Sequence, residues 1–480
     1  MKNYFVALML ACGAFAQQND VGDVAFANSG APGAQTAFLR GLALLHNFEY
    51  SYAAESFREA QKVDPDFTMA YWGEAMTYTH PVWQQQDAEK ARAVLKKAPP
   101  AKTDRERAYM NTVAVLYGDG TKEERDFKFA DAMAALHQQY PDDVDATAFY
   151  ALALLGTSHK GRDTATYMRA AALLEEVYPD HQRHPGVLHY LIHSYDDPIH
   201  APLGMRAARR YGAIAPNAGH ALHMTSHIFI ALGMWDDVID ANKRAIAVVN
   251  KQRGARGLAP QDCGHYPTWL HYGLLQEHQN EAAKKMLVAC RVAVLDANFK
   301  GAGGFDTAEG RAGEYAHMVA SQVMGGGALD AADRMTLPEA FVDARFTLAY
   351  AEAIDAYRRG DGEALKETSA RLQALDAKAT WKSTDIERAS IIVHQIDALQ
   401  LALSGKRDDA IALLRQAAEA ERTMPFEFGP PAIDKPTFEL LAEQLAAAKR
   451  SREAAEAYRI ALSRAPGRTV AAEALKKIAN

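Results

Sequence analysis

Two histidine pairs with the same internal spacing recur at a fixed interval along the chain. His189 and His193 form the first pair, and His223 and His227 form the second. In a helix, the i, i+4 spacing places both imidazoles of a pair on one face, about 6 Å apart along the axis. The second pair follows the first at an interval of 34 residues. That interval is typical of a repeated helix–turn–helix unit whose copies stack side by side, so the four imidazoles are expected to converge.

The hydrophobic pattern of the 480-residue chain is helical almost throughout. Apolar residues recur at three- and four-residue intervals, alanine is frequent, and the alternation that marks a half-buried strand is rare. Proline and glycine fall mainly between the helical stretches. With 49% hydrophobic residues, the chain can bury a large core. We therefore predict an all-α fold in which helical hairpins stack into a continuous α-solenoid.

The charge pattern bears on the class of partner. The net charge of −7 is modest and spread along the chain, without a basic stripe. Nucleic-acid-binding surfaces carry such a stripe, so we expect no nucleic-acid partner. A membrane-spanning helix needs about 18 or more consecutive apolar residues, and we expect no transmembrane segment because no part of the mature chain has such a run.

Residues 1–16 have the composition of a secretory signal peptide. Lys2 supplies the positive charge, residues 4–11 are apolar, and an A-x-A sequence ends at Ala16, where cleavage is expected. Lipidation at Cys12 is a weaker alternative, because the residues before it match a lipobox poorly. We therefore predict export to the periplasm or the extracellular space.

A second repeated pattern lies near both ends of the chain. Its members are separated by 4, 3 and 5 residues, and the two copies are Ala53, Phe57, Ala60 and Pro65, and Ala454, Tyr458, Ala461 and Pro466. Small residues let paired helices approach, and the aromatic ring fills the gap between them. This pattern resembles the second helix and exit proline of the tetratricopeptide repeat (TPR) family. The resemblance covers most of the mature chain and implies a right-handed superhelix of TPR-like hairpins.

Segments such as MAYWGEAM and HPGVLHYLIH also resemble a group of bacterial TPR-like proteins. With the predicted leader, they point to an exported bacterial TPR-like protein with a His-rich groove. We predict an irregular leader at 17–33, an N-terminal TPR-like array carrying the histidines at 34–335, and a C-terminal TPR-like array at 336–480.

The resemblance also implies where the histidines face. In TPR arrays, positions 2, 5, 9, 12 and 13 of each repeat line the concave groove. Counting from Gly219 and from Pro185 as first positions, the polar residues that fall there are His220, His223, His227, His189, His193, Asp196 and Asp197. Peptide-binding TPR domains use Lys, Arg and Asn at such positions, so a simple carboxylate clamp does not fit this chain.

Imidazole groups in this number favour a transition metal site. Imidazole suits zinc, copper and iron, and we predict zinc first, then copper or iron. Asp196 or Asp197 could orient a ligating histidine or act as a general base. The prediction leaves open whether the site is catalytic. A catalytic site would be that of a metal-dependent hydrolase or oxidoreductase, and no HExxH motif is present.

Two other interpretations of the histidines remain open. The groove could be metal-free and bind a small molecule, a peptide or a protein partner, or the imidazoles could form a hydrogen-bonded structural network. His265 and His271, one repeat later, could extend the groove, although a loop and an adjoining helix start explain them better. Cys263 and Cys290 could form a disulfide or remain buried thiols, and Cys263 could act as a thiolate near His265.

Overall fold

The computed structural model describes residues 20–296, 299, 306–381 and 383–479. The predicted signal peptide lies outside these residues. The described chain is all-α, and its twenty-two α-helices are α1 Gln35–His46, α2 Tyr50–Val63, α3 Thr68–Met76, α4 Ala88–Leu95, α5 Asp104–Leu116, α6 Lys122–Gln139, α7 Val144–Leu155, α8 Thr164–Val177, α9 Pro185–Ser194, α10 Ala201–Ile214, α11 Gly219–Ala231, α12 Trp235–Ala255, α13 His265–Gln276, α14 Asn280–Val294, α15 Ala308–Met324, α16 Val342–Arg358, α17 Gly362–Asp376, α18 Ser383–Leu403, α19 Arg407–Thr423, α20 Thr437–Ala447, α21 Ser451–Arg464 and α22 Thr469–Ala479.

Each helix packs on the next along the chain except that α4 and α5 both pack on α3, and this arrangement confirms the predicted α-solenoid of helical hairpins. The first hairpin shows why small residues matter. A Cβ added to Gly41 in α1 would lie 2.9 Å from the Phe57 ring of α2, and one added to Gly73 in α3 would lie 2.4 Å from it. The Phe57 side chain is fully buried, so the two glycines make room for the ring that joins three helices.

Short non-helical elements connect the hairpins. The strands Thr79–His80 (β1) and Gln85–Gln86 (β2) pair in an antiparallel manner around a 3₁₀ turn at Pro81–Trp83. Residues 20–31 contain neither helix nor strand, yet Phe26 is buried. Its ring lies 5.1 Å from that of Tyr109 and 6.0 Å from that of Trp72, so this leader is part of the core.

Helices α9 and α11 carry the repeated histidine pairs. They begin at Pro185 and Gly219, the positions from which the repeats were counted. Proline at the first position of α9 is favourable because the N–H that it lacks has no partner inside a helix. The His184 side chain accepts a hydrogen bond from the Val187 amide and caps the same end.

The apolar interior forms two large clusters. One extends from Val21 to Tyr272 and the other from Cys263 to Ala471, so the cores meet at residues 263–272. The boundary predicted between residues 335 and 336 lies inside the second core.

Helices α20 to α22 return to α11–α13. The Trp235 indole donates to the Gly467 carbonyl at 2.9 Å, and the Thr469 hydroxyl donates to the Gln276 carbonyl at 2.7 Å. A Cβ on Gly233 would lie 2.6 Å from the Pro466 carbonyl oxygen, so the two backbones are in contact. The array therefore closes on itself.

An ion cluster is buried next to this closure. The Arg468 guanidinium donates to the Glu439 carboxylate at 2.5 Å and to the Tyr272 hydroxyl at 3.1 Å. The Lys435 ammonium donates to Glu439 at 2.6 Å and also pairs with Glu443. Glu439 and Lys435 are fully buried and Arg468 is 3% exposed, so each charge depends on its partners.

Residues 424–433, which we call the strap, connect α19 to α20 across the histidine-bearing helices. Gly429 has a φ of +84°, and a Cβ at this position would lie 2.1 Å from the Trp269 ring. The Phe428 ring lies 5.7 Å from that of His193 and 6.0 Å from that of His227. The strap therefore covers one side of the histidines. No helix in the described part of the chain is both long enough and apolar enough to cross a bilayer.

Candidate metal centre

The structure brings all five predicted histidines together, and it places them in the interior. Their residues are between 0% and 8% exposed: His189, His193, His220, His223 and His227. The resemblance had implied an open concave groove. Closure of the array and the strap instead enclose the helix faces that carry these side chains.

The histidines form two triads rather than one group. His223, His227 and His265 form the first, which we call the α11/α13 triad. His189, His193 and His220 form the second, the α9/α11 triad. In each triad one nitrogen of every imidazole lies within 4.8 Å of the others. Zinc–nitrogen bonds are about 2.0–2.1 Å long, so nitrogens at this separation can share one ion after small adjustments.

In the α11/α13 triad each imidazole has an acceptor at its Nδ1 atom. The Nδ1 of His223 lies 2.7 Å from the Asn242 side-chain oxygen, and the Nδ1 of His227 lies 2.5 Å from an Asp196 carboxylate oxygen. Glu314 lies 3.6 Å from the Nδ1 of His265. An acceptor at Nδ1 favours the tautomer that carries its proton there, so the Nε2 lone pairs are left for a ligand.

The Nε2 atoms of His223 and His227 face each other at 3.1 Å. In the tautomers favoured by Asn242 and Asp196, both atoms present lone pairs, and two facing lone pairs repel. A shared cation removes this repulsion. Two ligands of one tetrahedral zinc ion stand about 3.3 Å apart, close to the observed separation.

His265 connects the triad to a cleft. Its side chain is 45% exposed, and it lines a cleft of about 770 Å³ with Trp269, Glu314, His317 and Phe428. The Trp269 ring lies 4.7 Å from that of His223 and 4.4 Å from that of His227. Trp269 therefore packs against both buried histidines of the α11/α13 triad, and His265 is the member of the triad that lines the cleft.

The charge states suit metal binding. Burial, followed by the neighbouring histidines, holds the pKa of His223 well below its usual 6.5. Burial raises the pKa of the Glu314 carboxyl, but the hydrogen bond and the charge of His265 outweigh it and leave that pKa below its ordinary value. The His223 imidazole is thus neutral, which is the form that ligates metals, and the Glu314 side chain is an ionised carboxylate.

In the α9/α11 triad, several ring nitrogens lack partners among the described residues. The Nδ1 of His189 lies 2.6 Å from the His46 carbonyl oxygen, whereas its Nε2 has no partner. Neither ring nitrogen of His193 has one, and neither does the Nε2 of His220. Burial comes first among the causes that hold the pKa of all three well below 6.5, so these imidazoles are neutral.

In a third group of potential ligands, both ring nitrogens of each histidine already have partners. The Nε2 atoms of His46 and His184 lie 2.9 and 3.2 Å from the Asp145 carboxylate. The other His46 nitrogen lies 3.0 Å from the Tyr190 hydroxyl. Burial lowers the pKa of His46 to about 4, while the two histidines lower the pKa of Asp145 against the effect of burial. This group forms a structural network that holds the His46 carbonyl against the Nδ1 of His189.

The two aspartates predicted beside the cluster have different surroundings. Asp196 accepts from His227, as an orienting carboxylate would. Asp197 instead accepts from Arg162 at 2.8 Å and from His200, in a buried ion pair. It contacts neither triad through these bonds. A role for either aspartate as a general base remains a prediction.

His265 is the ligand candidate that sequence reasoning left outside the main set. It begins α13, and its neighbour Cys263 forms a disulfide with Cys290 of α14. This bond excludes Cys263 as a thiolate ligand and anchors the turn that delivers His265. The sequence signal for His265 was its position one repeat after the main cluster, but a place in a loop was the preferred explanation of that position.

Comparison with known proteins finds only loose structural similarities. No protein-family model matches the chain, and no curated protein matches it. Structures of TPR proteins do. The Cut9–Hcn1 hetero-tetramer of the APC/C is 12% identical over 97% of this chain and 79% of that chain, with a TM-score of 0.37. Human IFIT1, as a dimer with m7Gppp-AAAA, is 13% identical over 95% and 92%, with a TM-score of 0.36. Yeast Tom70 is 12% identical over 93% and 95%, with a TM-score of 0.35. Because these superpositions are loose, the fold assignment rests on the helices of this chain.

Proposed function

We propose that this protein binds a transition metal ion through His223, His227 and His265 and presents it to a small-molecule or peptide ligand in the cleft. The observation that carries the proposal is the 3.1 Å approach of the two Nε2 atoms, with an acceptor at each Nδ1. Zinc is the first candidate, followed by copper and iron, because all three favour imidazole nitrogen.

Three protein ligands also support a chemical role for the ion. Structural zinc sites are closed by four protein ligands, whereas catalytic ones use three and keep a position for water or substrate. Here His265 lines the cleft, so the ion would act on a ligand that enters there. We infer metal-dependent hydrolysis or oxidation, without a choice between them.

Elemental analysis tests the metal site directly. Full-chain protein purified without chelators or a histidine tag is expected to contain transition metal. His223→Gln and His227→Gln should each lower the content by one ion per chain, because each removes one of three ligands. His271→Gln is the matched control, since His271 is a fully buried histidine outside both triads. No metal after reconstitution with zinc, copper and iron would sink the proposal, as would unchanged content in both variants.

A metal-free binding scaffold is the second candidate. The cleft favours it, because its lining includes the charged residues His317, Asp385, Arg388, Glu427 and Asp434, which could hold a peptide or a partner protein without an ion. Binding of a cleft ligand that persists in EDTA would support this alternative.

We also propose that the protein is exported, to the periplasm or the extracellular space. The Cys263–Cys290 disulfide supports this location, since such bonds persist in oxidising compartments. Secretion of a reporter fused after residues 1–16 tests it, and retention of the reporter in the cytoplasm would contradict it.

A further inference from the structure

The α9/α11 triad has features that the ion at the α11/α13 triad does not explain. Its four unpartnered ring nitrogens belong to histidines that are no more than 8% exposed. Buried polar atoms are nearly always paired, so each such atom in a folded protein needs a reason. A hydrogen-bonded core would have paired them, as the ring nitrogens of His46 and His184 are paired.

The arrangement of the α9/α11 triad indicates which kind of ligand its ring nitrogens could bind. The His46 carbonyl accepts from the His189 Nδ1 at 2.6 Å, so the Nε2 of His189 presents a lone pair. Nitrogens of His193 and His220 lie within 4.8 Å of it and of each other. A water molecule donates only two hydrogen bonds, whereas one cation can accept lone pairs from three imidazoles.

The two triads are in direct contact. The His193 ring lies 5.7 Å from that of His227, and the His220 ring lies 6.0 Å from that of His223. Helix α11 contributes to both triads from one face, with His220 in the α9/α11 triad and His223 and His227 in the α11/α13 triad. Ions held by the two triads would therefore be neighbours in one enclosed site.

We propose that His189, His193 and His220 hold a second transition metal ion beside the first, so that six histidines form a dinuclear centre. The inference rests on the proposed function, because it takes the α11/α13 triad as the first ion's site. It changes the expected stoichiometry from one ion to two per chain. Ions that favour imidazole, zinc and copper above all, are the class that fits both triads.

Metal stoichiometry distinguishes the two triads. After saturation with Zn²⁺ and removal of free metal, wild-type chain is expected to hold two ions. His193→Gln and His220→Gln should each hold one, His227→Gln should hold one, and His271→Gln should hold two. Two separate variants of the α9/α11 triad protect the test against a single misfolded protein.

Each alternative outcome has one meaning. One ion in wild type that His193→Gln and His220→Gln retain, and that His227→Gln loses, would overturn the second site and leave the proposed function standing. No ion in wild type would overturn both. Two ions that persist in His193→Gln and His220→Gln would show that the second ion lies elsewhere.

A separate measurement tests whether the two ions are neighbours. In protein loaded with Cu²⁺, two neighbouring ions should broaden each other's electron paramagnetic resonance spectrum or reduce its intensity per copper. His193→Gln should restore the spectrum of an isolated Cu²⁺ ion. A wild-type spectrum of two isolated ions at two coppers per chain would overturn the dinuclear centre.

Discussion

At the scale of single residues, the acceptors at Nδ1 of His223 and His227 orient these imidazoles for a ligand at Nε2. Asn242 illustrates this, because its amide nitrogen donates to the Val238 carbonyl at 2.9 Å and so fixes its oxygen toward His223. The orientation of the imidazole is thus set before any ion binds. Such partners commonly change metal affinity by about 10–100-fold when they are removed.

The adjacent residues Asp196 and Asp197 allow an effect on metal affinity to be separated from an effect on the free energy of unfolding. In Asp196→Asn the amide oxygen can still accept from His227, but it lacks the negative charge that strengthens the imidazole as a ligand. We expect Zn²⁺ affinity to fall by about 10–100-fold, with little change in unfolding. Competition with a chromogenic chelator measures the affinity.

Asp197→Asn is the matched control. It should lower the free energy of unfolding by about 3–5 kcal/mol, because buried Arg162 loses its charge partner, and it should leave Zn²⁺ affinity unchanged. Equal losses of affinity in the two variants would mean that Asp196 acts only through packing.

At the scale of elements, the strap is the structure most directly tied to the site. It contacts Trp269 through Gly429 and the histidines through Phe428, and it has no helix of its own. It therefore covers the triads with a segment that can be displaced without unwinding α9 or α11.

Two glycines with almost the same backbone angle test this role. Gly429 has a φ of +84° and contacts Trp269, whereas Gly405 has a φ of +85° and nothing within 4 Å of an added Cβ. Gly405→Ala should cost about 1–2 kcal/mol from backbone strain alone. Gly429→Ala should cost about 1–3 kcal/mol more from overpacking, and it should speed removal of the metal by EDTA.

Urea unfolding and the rate of metal release are the measurements. Indistinguishable release rates in the two variants would show that the strap does not guard the site.

The sequence predicted the helices at the site better than the site itself. The spacing of His189, His193, His223 and His227 and the 34-residue interval depend on local geometry, and α9 and α11 begin where that interval places them. The division into two triads depends on how far α11 rotates relative to α9 and α13. No local pattern records that rotation.

The same limit explains a partner that the sequence did not reveal. Phe428 reaches the cluster from a distant part of the chain by way of the strap. Its position follows from closure of the array, and hydrophobic periodicity carries no information about closure. His265 had the right interval but depends on the disulfide at Cys263 for its placement.

At the scale of the whole molecule, the Lys435–Glu439–Arg468 cluster links closure to pH. Burial opposes ionisation of Glu439, but Arg468 and Lys435 lower its pKa from 4.5 to about 2. Because the folded-state pKa is depressed, the stabilisation from ionised Glu439 is fully present above pH 4.5. It is lost as the pH falls from 4.5 toward 2.

We therefore expect the difference in unfolding free energy between wild type and Glu439→Gln to shrink by roughly 3 kcal/mol over that range. Urea titrations of metal-free protein at several pH values measure it. Glu419→Gln is the control, because Glu419 forms an exposed pair with Arg422 and should show almost no difference at any pH. A difference in unfolding free energy between wild type and Glu439→Gln that does not vary with pH would contradict the lowered pKa of Glu439.

The Trp235–Gly467 contact has a consequence for how the molecule comes apart. In an open stack of repeats each unit touches only its sequence neighbours, so the outermost units can fray one at a time. Here Gly467 holds a second neighbour 232 residues earlier in the chain, which closes the part of the array from α12 to α22 into a ring. A ring has no outermost unit at that junction, so fraying there must first break the buried cluster at Arg468. Opening of this ring should then be all-or-none, and because the strap lies within it, the enclosed histidines should become accessible together rather than one triad at a time.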